Sequence, residues 1–240
     1  MKLSIEEVQT WAQKLEKDSA EAVLSWALRE FHPRLALSNS LQVEDMVVLD
    51  IAHKINPKVR VFTLDTGRLP QETYEMMDRV RDRYGITLEV LFPDSAAVEA
   101  MVRAKGPNLF YDSVENRHEC CGVRKVKPLQ KYLAYFDAWI TGLRRDQWAS
   151  RTNVQKVEID AANNGIVKVN PIADWSWEQL EKYVADNKVP KHKLYAQGYS
   201  SIGCLPCTRS TEPGENPRAG RWWWENDEKK ECGLHVDNKS

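Results

Sequence analysis

The chain has 240 residues, enough for one large domain or at most two small ones. Its 42% hydrophobic and 29% charged residues are the balance of a globular protein, with no apolar run near the ~20 residues a membrane helix needs. The formal net charge of −1 excludes a global basic field for nucleic acid or an anionic membrane, so any anion site must be local.

Ser4 followed by Glu7 forms a capping-box pattern with Leu3 as staple, and Val8, Trp11, Ala12 and Leu15 recur at helical spacing. Acids stand here where a signal peptide needs an uninterrupted apolar run, so a cytoplasmic location is expected. Residues 20–31 repeat the helical pattern with Val23, Leu24, Trp26 and Ala27, which predicts a covering pair of helices. An alternation follows. Leu35-Ala36-Leu37 reads as a strand running into Ser38-Asn39-Ser40, and 45–55 as a helix. Val59 to Leu64 reads as a strand ending in Asp65-Thr66-Gly67-Arg68, with a helix over 71–84. Strands at 88–92 and 138–141 flank a helix over 95–104, and the second ends in Gly142-Leu143-Arg144-Arg145. This order predicts an α/β fold, a mainly parallel sheet with helices on both faces and ligands beyond the strands' carboxyl ends.

Residues 155–159 and 166–169 read as a hairpin turning at Asn164-Gly165, and Ser176 to Asn187 as a helix with Trp177, Leu180 and Tyr183-Val184 facing inward. Beyond Cys207 the residues are Thr, Arg, Ser, Glu, Pro, Gly and Asn without periodicity, which predicts a loop.

The five cysteines fall as a touching pair, Cys120-Cys121, a Cys204-Leu-Pro-Cys207 motif, and Cys232. In a reducing compartment an odd set reads as ligands or catalysts rather than disulfides. Four thiolates suit zinc or an iron–sulfur cluster. Adjacent ligands force an awkward backbone around one ion, whereas a cubane offers separate corners, which favours [4Fe-4S]. A redox Cys-x-x-Cys should open a helix, and here a Pro/Gly-rich loop follows. The bland alternative, buried small residues, fits Cys120 and Cys121 taken alone.

Cys232 has Lys229, Lys230 and His235 near it in sequence, which favours a thiolate and nucleophilicity; a spare thiol on a frayed tail is the alternative. Lys125, Arg144-Arg145, Arg218 and Arg221 are each a solvated charge alone, and together, at strand ends, an anion site. Trp222-Trp223-Trp224 reads as a cover, a partner site, or core residues packing the segment down.

Together these residues resemble the assimilatory adenylyl-sulfate reductases, the iron–sulfur branch of a family that also contains 3′-phosphoadenylyl-sulfate reductases. The matching segments are Ser38-Asn-Ser-Leu-Gln-Val-Glu-Asp45, Leu64-Asp-Thr-Gly-Arg-Leu69, Cys120-Cys-Gly-Val-Arg-Lys-Val-Lys-Pro-Leu129 and Thr141-Gly-Leu-Arg-Arg-Asp146. They continue with Gly198-Tyr-Ser-Ser-Ile-Gly-Cys-Leu-Pro-Cys-Thr208, Arg218-Ala-Gly-Arg-Trp222 and Glu231-Cys-Gly-Leu-His235. The paired cysteines, the Cys-x-x-Cys and the Glu-Cys-Gly-Leu-His segment form the specific combination; the upstream motifs are weak singly.

The resemblance implies an adenine-nucleotide α-hydrolase-like fold in one reductase domain: N-terminal helices over 1–33, a nucleotide- and cluster-binding core over 34–207, and a flexible catalytic tail over 208–240. It implies one [4Fe-4S] cluster per chain on Cys120, Cys121, Cys204 and Cys207, and Cys232 as the nucleophile toward adenylyl sulfate. Sulfite would then be released by reduced thioredoxin or a similar dithiol protein. Lys125, Arg144, Arg145, Arg218, Arg221 and His235 match phosphate- and sulfate-handling positions, and Ser38, Ser40 and Leu64 a nucleotide pocket. Ser-Asn-Ser-Leu stands where the related ATP pyrophosphatases have a Gly-Gly loop, which argues against ATP. Two rivals remain: the same chemistry on 3′-phosphoadenylyl sulfate, and a zinc-stabilised protein that binds a nucleotide or a partner. The oligomeric state, including a homo-oligomer, stays open.

Overall fold

The computed structural model describes residues 3–148 and 151–225. They divide into two compact units whose segments interleave along the chain. The first holds 3–63, 73–89, 133–148 and 151–192; the second holds 64–72, 90–132 and 193–225.

In the first unit, α1 (Ile5–Leu15) and α2 (Ala20–Phe31) open the chain as expected. The capping box is present: Glu7 N–H donates to Ser4 Oγ at 3.2 Å and Ser4 N–H to Glu7 Oε2 at 2.7 Å. The strands are β1 (Leu35–Ser38), β2 (Arg60–Leu64), β3 (Leu88–Leu91), β4 (Ala138–Ile140), β5 (Val157–Asp160) and β6 (Ile166–Val169). They form one sheet in the order β3-β2-β1-β4-β6-β5. β1 pairs in parallel with β2 and β4, placing Leu37 beside Val61 and Ile140; β4 pairs in parallel with β6, and β5 pairs antiparallel with β6. Leu35, Ala36, Leu37, Val61, Phe62, Trp139 and Ile140 are all buried, the continuous apolar signature of parallel strands covered on both faces. From β1 the chain builds outward through β2 and β3 on one side; β4 and β6 lie on the other. The order therefore reverses between β1 and β4, where open α/β sheets bind ligands.

Helix α3 (Val43–Ile55) is buried almost all round, as a helix apolar on every side must be. Its one deeply buried charge, Asp50, accepts from Tyr84 (3.1 Å), Tyr183 (2.8 Å) and Lys54 (2.6 Å). Helix α4 (Gln71–Tyr84) lies between β2 and β3 in sequence. The predicted hairpin is the β5–β6 pair, with Asn164 (φ 60°) and Gly165 (φ 67°) left-handed. A helical turn over Ala161–Asn163 makes its loop longer than a two-residue turn. Helix α8 (Trp177–Asn187) carries the Ser176–Gln179 capping box and turns Leu180 and Val184 inward. Trp177 does not face inward. It is 41% exposed, and its ring lies under the Arg144 guanidinium at 5.8 Å.

In the second unit, α5 (Ser95–Lys105) starts on Asp94, which accepts from Ala97 N–H at 2.8 Å. Two helices that periodicity did not reveal follow: α6 (Val114–Cys121), capped by Ser113, and α7 (Lys127–Leu133). Between them Gly122–Val126 forms a π turn, in which Lys127 N–H reaches back five residues to Gly122 O. Pro128 explains the widening. Its nitrogen cannot donate to Arg124 O, and its ring crowds that carbonyl in a regular α-helix.

The segment after Cys207 is not the loose loop its composition predicts, as far as Glu225. Thr208 pairs antiparallel with Arg221, Arg209 N–H donates to Gly220 O and Thr211 N–H to Gly198 O (each 2.9 Å), and Trp222 is 1% exposed. Gly220 lets the two backbones meet, since a Cβ there would collide with Arg209 O.

Candidate active site

The carboxyl ends of β1 and β4 lie in the first unit, and Asp45 at the start of α3 ties their loops together. Ser40 donates to Asp45 Oδ2 through its backbone N–H (2.8 Å) and its hydroxyl, and Gly142 N–H donates to Asp45 Oδ1 at 2.8 Å. The loop is shaped locally as well: Leu41 adopts φ 64°, and its N–H donates to Asn39 Oδ1 at 2.7 Å. Gly142 is obligatory, because a Cβ there would stand 2.8 Å from Asp45 N and 2.9 Å from Glu44 C, and closer still to Asp45 Oδ1. Burial pushes the Asp45 carboxyl up to about 6, although the Ser40 and Gly142 hydrogen bonds favour its charged form. Ser38 is half-buried at the end of β1 and Ser40 exposed beyond it.

Arg144 and Arg145 follow in the loop after β4, and both guanidiniums are engaged inside the fold. Arg144 donates to Asp146 (2.6 Å), Trp175 O (3.0 Å) and Glu44 (3.4 Å). Arg145 donates from Nε to Val154 O at 2.8 Å and pairs with Glu16. The anion-binding role expected of Arg145 therefore competes with an intramolecular partner.

The second unit gathers the four expected cysteine ligands around one cavity of about 310 Å³ including its mouth, lined also by Arg68, Phe110, Arg117, Arg124, Lys125 and Pro206. Cys120 and Cys121 end α6 on regular helical backbone, Cys121 at φ −64° and ψ −38°. The awkward backbone that two adjacent ligands on one ion would force is absent. Helical twist alone splays adjacent side chains by ~100°. Cys204 and Cys207 close a single helical turn over Leu205–Cys207, with Cys207 N–H donating to Cys204 O at 2.9 Å. No α-helix follows, since Thr208 is extended (φ −143°, ψ 132°), so the motif lacks the setting of a redox dithiol.

Backbone clamps hold this loop. Leu205 N–H donates to Arg68 O, Tyr111 Oη to Pro206 O (each 2.8 Å) and Thr208 Oγ1 to Cys204 O (3.0 Å). The loop after β2 follows Leu64, the half-buried last residue of that strand. It contributes Gly67 at φ 70°, Thr66 Oγ1 at 3.2 Å from Cys204 Sγ, and Thr66 O, which accepts from Arg124 at 2.7 Å. Met101, Leu109, Phe110, Val123 and Trp222 pack with Cys120, Cys204 and Cys207 in one apolar cluster.

The electrostatics split the thiols. Burial raises Cys120, and burial with the Cys204 charge pushes Cys207 up to about 12. Burial also opposes ionisation of Cys204, but Lys125, the Thr66 hydroxyl, Arg221 and Arg124 outweigh it and leave that thiol below its ordinary value. The donor set fits a soft metal group: four thiols, none in a disulfide, with no carboxylate or imidazole on the cavity wall and four cations to offset the charge of a tetrathiolate. Among the described residues no three His, Cys, Asp or Glu converge tightly enough to hold one ion, so the fit rests on donor chemistry and enclosure.

Of the other expected residues, Lys125 lies in the π turn and on the cavity wall. Arg221 is 6% exposed, donates to Ile202 O (3.2 Å) and Ser201 Oγ (3.3 Å), and lies 4.8 Å from the Trp222 ring centroid. Arg218 is half-buried in the same turn. Cys232 and His235 lie outside the described residues. Asp45, Gly142, Thr66, Arg117 and Arg124 went unrecognised as positioning groups, although all but Arg117 stand inside the quoted motifs. Among the described residues no helix is long and apolar enough to cross a membrane.

The sequence profile of the phosphoadenosine phosphosulfate reductase domain matches residues 34–210, drawing on both units. An adenosine 5′-phosphosulfate reductase of Rhizobium meliloti (strain 1021) is 47% identical over 203 residues, 85% of this chain and 76% of that protein. The 5′-adenylylsulfate reductase 3, chloroplastic, of Arabidopsis thaliana is 41% identical over 98% of this chain, which spans 53% of that protein. Among solved structures, phosphoadenylyl-sulfate reductase from Candida auris in a phosphate complex superposes with TM-score 0.74 at 28% identity, covering 87% of this chain and 99% of that one. FMN adenylyltransferase of Candida glabrata, at TM-score 0.58 and 13% identity over 93% of this chain and 76% of that one, shares the fold alone.

Proposed function

We propose that this chain, which belongs to the phosphoadenosine phosphosulfate reductase domain family, reduces adenylyl sulfate to sulfite and AMP in assimilatory sulfate reduction. The observation that carries the reading is the enclosure of Cys120, Cys121, Cys204 and Cys207 around one cavity beside Lys125 and Arg124. The names of the relatives, adenosine 5′-phosphosulfate reductase at 47% identity and 5′-adenylylsulfate reductase 3 at 41%, support the substrate.

In this reading the Cys232 thiolate attacks the sulfur of adenylyl sulfate. The S–O bond breaks, its electron pair leaves on the AMP phosphate, and an S-sulfocysteine remains. A thioredoxin-like dithiol then attacks Cys232 Sγ and expels sulfite, and its second thiol closes the disulfide, so the partner supplies both electrons. Lys125, Arg218, Arg221 and His235 stabilise the charge developing on phosphate and sulfate. Ser38, Ser40 and Leu64 line the nucleoside part, and Asp45 holds the Ser40 and Gly142 loops in place. Arg144 and Arg145 act from the same loop through their ion pairs.

One [4Fe-4S] group held by the four cysteines would cross-link α6 to the Cys-x-x-Cys loop and set the local field. Cys120 and Cys207, whose protons burial favours, must lose them on loading, so assembly is favoured by rising pH. Zinc is the alternative occupant of a sulfur-only site. Iron content and a visible spectrum of anaerobically purified protein separate them. The substrate is tested by sulfite release from adenylyl sulfate and 3′-phosphoadenylyl sulfate in parallel with reduced thioredoxin. At least tenfold higher kcat/KM for adenylyl sulfate, about 1.4 kcal/mol, supports the reading; equal efficiency overturns the substrate assignment.

A further inference from the structure

We infer that Tyr111 is a positioning residue for the cysteine cavity: its hydroxyl latches the Cys204–Cys207 turn from the surface and so sets the rate at which iron leaves the four thiolates. The inference rests on the reading of Cys120, Cys121, Cys204 and Cys207 as ligands of an iron–sulfur group.

The two halves of the ligand set are held differently. Cys120 and Cys121 end α6 on regular helical backbone. Cys204 and Cys207 sit on one short turn, closed within itself by Cys207 N–H on Cys204 O, with Pro206 between them. On its inner side the turn is held by the buried hydrogen bond from the Thr208 hydroxyl to Cys204 O, and by Leu205 N–H on Arg68 O. On its outer side the Leu205 side chain is 57% exposed, and there Tyr111 Oη donates to Pro206 O at 2.8 Å.

Tyr111 is anchored independently of the turn it holds. It ends the helical turn Leu109–Tyr111, and its N–H donates to Asn108 O at 3.0 Å. Arg68 grips the residues just before that turn, donating to Pro107 O and, at 2.9 Å, to Asn108 Oδ1. The Tyr111 ring lies 4.6 Å from Phe110, a residue of the cavity wall, and 4.5 Å from Trp224, which packs in turn on Trp223 at 4.7 Å. Such pairs fix the ring and leave the hydroxyl to bond elsewhere. Tyr111 is itself 44% exposed, so water competes for its hydrogen bond and the bond adds little to global stability. What it opposes is a local opening, in which Pro206 swings outward and draws the buried Cys204 and Cys207 from the cavity. A phenylalanine would supply the same packing, so the hydroxyl is the part that acts on the turn.

The test is iron release from the full-length iron-loaded protein into excess EDTA under anaerobic conditions. It is read as loss of visible absorbance and of protein-bound iron, each relative to that variant's own starting value. Tyr111→Phe, which keeps the ring, should release iron roughly two- to tenfold faster than wild type. Tyr111→Leu, which also removes the aromatic pairs, should be faster again. Hydrogen exchange separates a latch from a general loss of stability. In both variants the Leu205 and Cys207 amides should exchange faster, while those of β1 and β4 keep wild-type protection. Release and exchange at wild-type rates in Tyr111→Phe overturn the inference, as does faster release in which β1 and β4 lose protection too. A wild-type protein that loads no iron brings down the iron–sulfur reading and the latch with it. Iron-loaded wild type beside unaffected variants sinks the latch alone.

Discussion

Gly142→Ala tests whether the two strand-end loops of the first unit are locked together as the geometry requires. The added Cβ would lie 2.8 Å from Asp45 N and 2.9 Å from Glu44 C. Both are backbone atoms of the first turn of α3, so no side-chain rotation relieves the contact; the loop or the helix must shift. Overpacking of this kind costs about 1–3 kcal/mol. The shift also breaks the Gly142 N–H bond to the Asp45 carboxylate, whose loss costs about 1.5–3 kcal/mol because the acceptor is charged. Together these amount to ~2.5–6 kcal/mol, a sizeable share of the ~5–15 kcal/mol that holds a typical domain together. Urea unfolding followed by tryptophan fluorescence measures it as a lower midpoint at unchanged slope. AMP affinity should fall with it, since the loops after β1 and β4 both move. A variant within about 0.5 kcal/mol of the parent, with native AMP affinity, would refute the steric argument.

Further outcomes follow from the same side chains. The Asp45 carboxyl, at about 6 in the folded state against an ordinary 3.8, binds its proton more tightly when folded, so stability from this group is present at low pH and lost as pH rises through 6. Relative to Asp45→Asn, the protein should lose about 1 kcal/mol between pH 5 and pH 7; parallel curves for the two would contradict the burial argument. Arg145→Leu should cost stability, about 1 kcal/mol, while leaving KM within about threefold, because its donors serve Glu16 and Val154. A large rise in KM would show that Arg145 leaves those partners to meet substrate. Cys207→Ser should purify colourless and iron-poor, and retained iron at the parental level would remove Cys207 from the ligand set.

The order of strands and helices was legible in the sequence because each apolar run of β1, β2 and β4 is bounded by polar loop residues. The cysteine set was legible because its spacing carries chemistry. Helices α6 and α7 were not, since α6 is mostly polar and Pro128 sits where a helix should break; the π turn resolves that conflict at a cost no propensity predicts. The fold-back of residues 208–225 was hidden for a different reason. Its polar, Pro- and Gly-rich composition reads as loop, while one tryptophan, two arginines and cross-loop hydrogen bonds hold it in place. Asp45 was quoted within a motif but not recognised as a clamp, because its partners Ser40 and Gly142 come together only through the β1–β4 pairing. Trp177 was misjudged because helical periodicity does not tell a core residue from one that shields an arginine.

Cys232 is proposed to carry the sulfonate, and the other four cysteines are not. Full-length, iron-loaded protein is incubated with adenylyl sulfate in the absence of any dithiol, then digested and mapped by mass spectrometry alongside the AMP released. The expected result is one AMP per chain and a sulfonate on Cys232 alone, discharged as sulfite on adding reduced thioredoxin. A sulfonate on Cys120, Cys121, Cys204 or Cys207, or sulfite released with no protein adduct, would contradict it.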